Sequence, residues 1–210
     1  GVGSWAAPGP VYEMNPPNSG EDAPLVTATL MTDSSTVAPG DTFRIGVHYK
    51  LLKKWHIYWK YPGGTTGKPT KLTLTATQGV TIGDVQMPAP TFFPGPAGKG
   101  LWTNGYEKEV VFFAEAKVPA QAKVGETIAI DAKSKWLVCD ENCPTENNAV
   151  MALELKIGEK TVTNDMTGAF DTAAKAVPKD DKTVTVKATV TPENPGGNTK
   201  WSYKAEFADS

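Results

Sequence analysis

The sequence predicts an all-β chain, an immunoglobulin-like β-sandwich with one short helix and a trailing β-hairpin near its C-terminus. Three observations lead there. Seventeen prolines are spread along 210 residues, and each removes a backbone donor and fixes its own torsion, which works against long helices. From Leu25 onward, short runs of Val, Ile, Thr and aromatic residues are separated by clusters of Gly, Pro, Asn and Asp, the pattern of strands joined by turns. The runs recur at a spacing that gives about eight strands, the number such a sandwich uses.

Taken in order, residues 1–24 hold five prolines and no hydrophobic periodicity, so they bury too little surface to offset their ordering entropy and read as a flexible leader. Strands are expected at about 25–32, 42–50, 55–61, 70–76, 108–117, 126–133, 134–139 and 148–157. Val37-Ala-Pro-Gly-Asp41 and Val124-Gly-Glu126 are the clearest turns between them. Residues 165–177 place Met166, Phe170, Ala173 and Val177 on one helical face, with Asp165 as N-cap and Pro178 as stop. Beyond the charged linker Lys179-Asp-Asp-Lys182, Thr183 to Val190 and Lys200 to Phe207 alternate around Pro-Glu-Asn-Pro-Gly-Gly-Asn, which is a hairpin. The organisation expected is therefore a leader (1–24), a sandwich domain (25–178), and a linker with a hairpin (179–210) that opens a truncated second domain.

Charge narrows the function. Lys and Arg total 21 against 23 Asp and Glu, and Arg44 is the sole arginine, so there is no basic surface to neutralise a phosphate backbone and no nucleic acid partner is expected. No apolar run approaches the roughly 20 residues needed to cross a bilayer, so the chain as given is expected to be soluble, with any export or anchoring segment removed. His48 and His56 are too few for a His-rich metal site. Gly63-Gly-Thr-Thr-Gly-Lys68-Pro69 resembles a phosphate loop only superficially, because Pro62 falls where its first glycine belongs and Pro69 replaces its magnesium-binding hydroxyl.

Soft chemistry rests on Cys139 and Cys143, four positions apart in Trp-Leu-Val-Cys-Asp-Glu-Asn-Cys-Pro. Four extended residues span roughly 13 Å, whereas a disulfide needs Cα atoms within about 7 Å, so bonding them requires a chain reversal. Asp140-Glu141-Asn142 is suitable turn material. The spacing is not the C-x-x-C of a thioredoxin helix, and no second pair completes a zinc site. Loop-closure arithmetic gives a five-residue ring only about 2 kcal/mol, so a structural staple and a redox-active pair both stay open on spacing alone. Asp140 and Glu141 disfavour a nearby thiolate, holding the thiols at or above the free value of about 8.5. Lys133 and Lys135 would offset this only if their strand points them the same way.

Five motifs occur in one order: Val37-Ala-Pro-Gly40; Trp55-His-Ile-Tyr-Trp59 with Tyr61-Pro-Gly-Gly64; Met87-Pro-Ala-Pro90; Asn104-Gly-Tyr-Glu107; and Trp136-Leu-Val-Cys139 with Cys143-Pro144. In this the chain resembles the N-terminal periplasmic domain of DsbD-type thiol:disulfide interchange proteins, ScsB-like branch, over about residues 25–178. The resemblance implies an immunoglobulin-like redox domain, without a cofactor, of an inner-membrane protein. Its Cys139/Cys143 pair would receive electrons from a thioredoxin-like domain of the same protein and pass them to periplasmic thioredoxin-fold partners. Cys143 would form the mixed disulfide, and the loop after Pro90, from Thr91 to Gly100, would correspond to the cap over the disulfide. Thr145 follows Cys143-Pro144, a departure from that branch, where an apolar residue commonly separates cysteine and proline.

Phe92 and Phe93 lie in Pro-Ala-Pro-Thr-Phe-Phe-Pro-Gly-Pro, a segment too rich in Pro and Gly to be expected as strand, so the two rings must cover something. Trp55, Tyr58 and Trp59 read as core. His56 with a cysteine or Met87 would be the copper-ligand alternative, against a packed or hydrogen-bonded strand histidine. Three functions compete: thiol-disulfide carrier, immunoglobulin-like binding module with a staple, and copper-binding domain, the last suggested by the copper-sensitivity association of the branch.

Overall fold

The computed structural model describes residues 10–14, 23–63, 67–94, 102–140, 146–179, 184–192 and 201–209. They fall into two units, divided between Val177 and Pro178. The first is a two-sheet sandwich. One sheet carries β1 (Val11–Met14), β2 (Val26–Thr32), β4 (Thr42–Leu51), β10 (Glu109–Lys117) and β7 (Thr81–Ile82), in that spatial order. The other carries β13 (Val162–Thr163), β3 (Ser34–Val37), β12 (Glu146–Ile157), β11 (Thr127–Cys139), β5 (His56–Gly63), β9 (Trp102–Glu107) and β8 (Thr91–Pro94), with β6 (Lys71–Ala76) also paired to β11.

The core lies between the sheets because alternate residues of each strand point inward. Leu30, Ile45, Val47, Tyr49 and Phe112 of one sheet meet Ile128, Ile130, Trp136 and Met151 of the other, all buried. Tyr49 spans the interior: its ring stands edge-on to Trp136 at 5.7 Å, and its hydroxyl lies 2.6 Å from Ser134 Oγ. Leaving either hydroxyl unpaired there would cost about 1–3 kcal/mol.

Helix α1 (Thr167–Ala176) covers the outer face of the first sheet. Gly46 permits this, since a Cβ there would stand 2.9 Å from the Phe170 ring. Arg44 joins helix to sheet, 2.7 Å from Asp33 and 2.8 Å from Asp171. Phe170 and Ala173 are buried and Val177 partly so, but Met166 is exposed. Asp165 is not the cap: the N-cap position falls on Met166, which makes no side-chain capping bond, and the Met166 N–H itself donates to Asn164 Oδ1 at 2.9 Å in the turn that enters the helix. In the second unit, β14 (Val184–Pro192) pairs antiparallel with β15 (Trp201–Asp209).

Three expectations are corrected. Within the segment read as leader, Val11–Met14 forms an edge strand on β2, and Met14 is buried in the core. Tyr12 against Trp136 at 5.7 Å supplies burial that its local composition does not advertise. The strands read at 126–133 and 134–139 are one, Thr127–Cys139, since Ile128, Ile130, Ala132, Ser134, Trp136 and Val138 keep one inward face while β11 changes neighbour from β6 to β5. Thr91–Pro94 is strand, not loop: four residues suffice on a sheet edge, where Pro94 at the strand end need donate no ladder bond.

Candidate functional site

Cys139 is the last residue of β11, at a point where Val138 stands opposite Ile57 and Cys139 opposite His56. The period-two alternation divides this corner of the sheet into two faces. Trp136, Val138, Ile57 and Tyr106 belong to the main core. Leu137, Cys139 and Tyr58 form a separate small buried cluster on the opposite face. Cys139 is fully buried and disulfide-bonded. The chain has one other cysteine, Cys143, which with Glu141 lies outside the described residues. The β11–β12 ladder closes at Leu137 opposite Glu146, so the chain reverses between them, at the mouth of a hairpin.

His56 shares the cysteine's face. Its imidazole stacks on Phe93 (centroids 5.2 Å, planes 23° apart) and meets Tyr58 edge-on at 5.2 Å. Its Nε2 is 3.4 Å from the Tyr58 hydroxyl. Burial lowers the His56 pKa below the ordinary imidazole value, while the carboxylates of Glu107 and Asp140 pull it back up. Gly105 sits opposite Tyr58, and a Cβ there would run into the Ile57 carbonyl oxygen, so only glycine lets β9 close on β5.

Phe93 reaches His56 from β8, the edge strand, where it pairs with Thr103. Its neighbour Phe92 points to the other side and is 66% exposed. Alternation thus lays one ring of the pair over the histidine beside the disulfide and leaves the other in solvent. The approach to β8 is tethered twice: the Tyr106 hydroxyl donates to Pro88 O at 2.7 Å, and the Ala89 N–H donates to Ala176 O, at the end of α1, at 2.7 Å. Residues 95–100, the rest of the expected cap, lie outside the described residues.

The model of the family described as "Thiol:disulfide interchange protein DsbD, N-terminal" matches residues 27–155, a span that runs from β2 to β12 and holds both cysteines. The chain belongs to the DsbD N-terminal domain family. Among solved structures it is similar to the N-terminal periplasmic domain of ScsB from Proteus mirabilis, with a TM-score of 0.51 and 20% identity over 88% of this chain and 79% of that one. It also matches the Neisseria meningitidis DsbD N-terminal domain in the reduced form, with a TM-score of 0.32 and 12% identity over 60% and 86%. The ScsB likeness bears out the immunoglobulin-like sandwich expected from the strand pattern. A search of curated protein sequences finds no match.

In this DsbD-type domain the structure brings together Cys139, Asp140 and Phe93, which sequence reading singled out, and leaves Phe92 apart. Lys135 does not offset the acidic turn. It shares the cysteine face but lies four residues along the strand, roughly 13 Å, and its ammonium is 3.1 Å from Glu146. Trp55 joins the core and Trp59 packs against it, as read from sequence, but Tyr58 joins the cysteine cluster. Met87 packs against the core, and no group of three or more His, Cys, Asp and Glu residues suited to a metal occurs among the described residues.

Sequence reading set His56 beside a cysteine only as a copper-ligand alternative, and missed Glu107 as the neighbour of His56. Half of that signal was present: in Trp-His-Ile-Tyr-Trp, period two puts His56 and Tyr58 on the face opposite Ile57. What it lacked was the register that sets His56 against Cys139.

Proposed function

We propose that this domain is a periplasmic thiol-disulfide electron carrier whose redox pair is Cys139 and Cys143. It accepts reducing equivalents from a thioredoxin-like domain of its parent membrane protein and hands them to periplasmic thioredoxin-fold partners. Family membership supports thiol-disulfide interchange as the chemistry. One observation carries the assignment to this site: the Cys139 disulfide belongs to a small cluster with Tyr58 and Leu137, on the sheet face turned away from the main core. Opening such a bond leaves the sandwich interior intact. A staple would serve better across the two sheets.

Each transfer balances as two electrons and two protons. A donor thiolate attacks the Cys143 sulfur, the Cys139–Cys143 bond breaks, and Cys139 leaves as a thiolate that takes up a proton. The donor's second thiol then displaces Cys143, so the donor becomes a disulfide and the domain a dithiol. Delivery to an acceptor is the reverse sequence on the acceptor's disulfide. Phe93 and the stacked His56 shield the bond from small oxidants, and an incoming partner displaces the β8 edge by offering apolar contacts of its own.

The deciding experiment is a redox titration of the native domain against glutathione and thioredoxin buffers, with the thiols counted by mass after alkylation. A carrier reaches a reversible equilibrium while folded. A pair reducible only after denaturation would instead make the domain a binding module with a structural disulfide.

A further inference from the structure

We infer that His56 is the proton carrier for Cys139, accepting its thiol proton when the disulfide closes and returning one when the disulfide opens; this rests on the carrier reading above.

The problem it solves is local. Cys139 is fully buried with Tyr58 and Leu137, and burial in apolar surroundings raises a thiol pKa. Lys135, on the same face, is engaged by Glu146. Yet Cys139 must become a thiolate each time it attacks the mixed disulfide on Cys143. Residues directly opposite on antiparallel strands carry Cβ atoms about 4.5–5.5 Å apart, and the residue opposite Cys139 is His56.

The groups facing the imidazole suit a base that is neutral at rest and stabilised once charged. Tyr58, on its own strand, puts a hydroxyl 3.4 Å from Nε2. Phe93 of β8 stacks on the ring and contributes no charge. Glu107 of β9 is its register partner, and Asp140 follows Cys139 at the hairpin tip. Burial favours the neutral ring, while Glu107 and Asp140 both favour the imidazolium. Asp140, which disfavours a bare thiolate, thus acts with Glu107 to stabilise the imidazolium that forms when the thiol proton moves to His56.

The closing step balances. With the partner sulfur bonded to Cys143, the Cys139 S–H gives its proton to the neutral imidazole. The thiolate attacks Cys143 Sγ, the Cys139–Cys143 bond forms, and the Cys143–partner bond breaks. The partner leaves as a thiolate, which takes the proton from His56 directly or through water. In the opening direction the steps run in reverse: the partner's thiol gives its proton to the neutral imidazole directly or through water, its thiolate attacks Cys143 Sγ, the Cys139–Cys143 bond breaks, and the imidazolium protonates Cys139 as it is expelled.

Closure can be timed alone. The reduced chain is loaded with glutathione on Cys143 at about pH 4, using glutathione activated as its 2-pyridyl disulfide, a reagent that reacts with thiols even in acid. One adduct is verified by mass, the pH is jumped, and glutathione release is followed. With neutral His56 as internal base, the wild-type rate is level within about twofold from about pH 6.5 to 8.5, above the lowered imidazole pKa. In His56→Gln the thiolate forms only by bulk ionisation, so the rate climbs close to tenfold per pH unit and is at least tenfold below wild type at about pH 6.5. Equal slopes in the two proteins overturn the inference while leaving the carrier reading intact. A native wild-type domain that no thiol reduces overturns both. Should His56→Gln fail to fold, the wild-type profile decides, and a tenfold rise per pH unit refutes the proton carrier.

Discussion

Replacing Phe93 by alanine isolates the shielding of the disulfide from the stability of the sandwich. The ring is half-buried and stacked on His56 at 5.2 Å. Half of a full Phe burial is worth about 1 kcal/mol, and the ring–ring contact adds about 0.5–1.5 kcal/mol. The lost stabilisation falls on β8, a four-residue edge strand, whose local opening costs less than global unfolding. A shift of about 1.5–2.5 kcal/mol in that opening equilibrium corresponds to roughly 10–70-fold more open state. Alkylation of the reduced domain by iodoacetamide, at fixed pH and with opening fast relative to reaction, should therefore accelerate by about that factor. Phe92→Ala is the internal control: its ring is 66% exposed, so the rate should change less than about twofold. Urea unfolding of both variants should show global losses below about 2.5 kcal/mol. An unchanged alkylation rate in Phe93→Ala, or equal acceleration in both variants, refutes shielding by the β8 ring. Loss of about 3–5 kcal/mol without acceleration would place Phe93 in the structural core instead.

Four further outcomes are expected. Reducing the disulfide in the folded protein should lower unfolding stability by about 2 kcal/mol, the closure entropy of a five-residue ring, measured by urea titration with and without reductant; a reduced protein that unfolds spontaneously would mark the bond as a staple. Asp140→Asn should lower the apparent pKa of the reduced pair from its expected position at or above about 8.5, read from alkylation rate against pH, and an unchanged value would show that its charge is not felt by the sulfurs. Because burial lowers the His56 pKa, the unfolded chain binds more protons than the folded one below about pH 6.5, so stability falls on acidification through that value and rises again with pH; the slope contributed there should disappear in His56→Gln, as followed by thermal unfolding at several pH values. Gly105→Ala should destabilise the β5–β9 ladder by about 2–4 kcal/mol, since its Cβ meets the Ile57 carbonyl, and a melting temperature equal to wild type would contradict the close strand approach.

Much of this was legible in the chain. Alternation located the strands that form both inner faces of the sandwich, because a half-buried strand must repeat every second residue. The helix over 167–176 was visible in the spacing of Phe170 and Ala173. Its start was not, since Asp165 is a good capping residue by type, yet the path of the entering chain puts Met166 at the N-cap position and leaves Asn164 to hold the Met166 N–H. Likewise β1 and β8 are short segments set among prolines whose order comes from neighbouring strands, through Tyr12 on Trp136 and Phe93 on His56. Composition reports what a segment can bury by itself and is silent about surface offered by residues far away in sequence.

The candidate site divides along the same line. The sequence alone established a lone cysteine pair in an acidic turn, an ordered set of family motifs, and a near balance of charge with a slight acidic excess. Those are properties of residue identity and near spacing. Tertiary structure decided that Cys139 lies on the outer face of its sheet, that Phe93 rather than Phe92 stacks on His56, and that His56 is the residue set against the cysteine. A one-residue slip in strand register would exchange every one of those neighbours, and register is settled by long-range pairing and by close approaches such as that at Gly105, which no local pattern encodes.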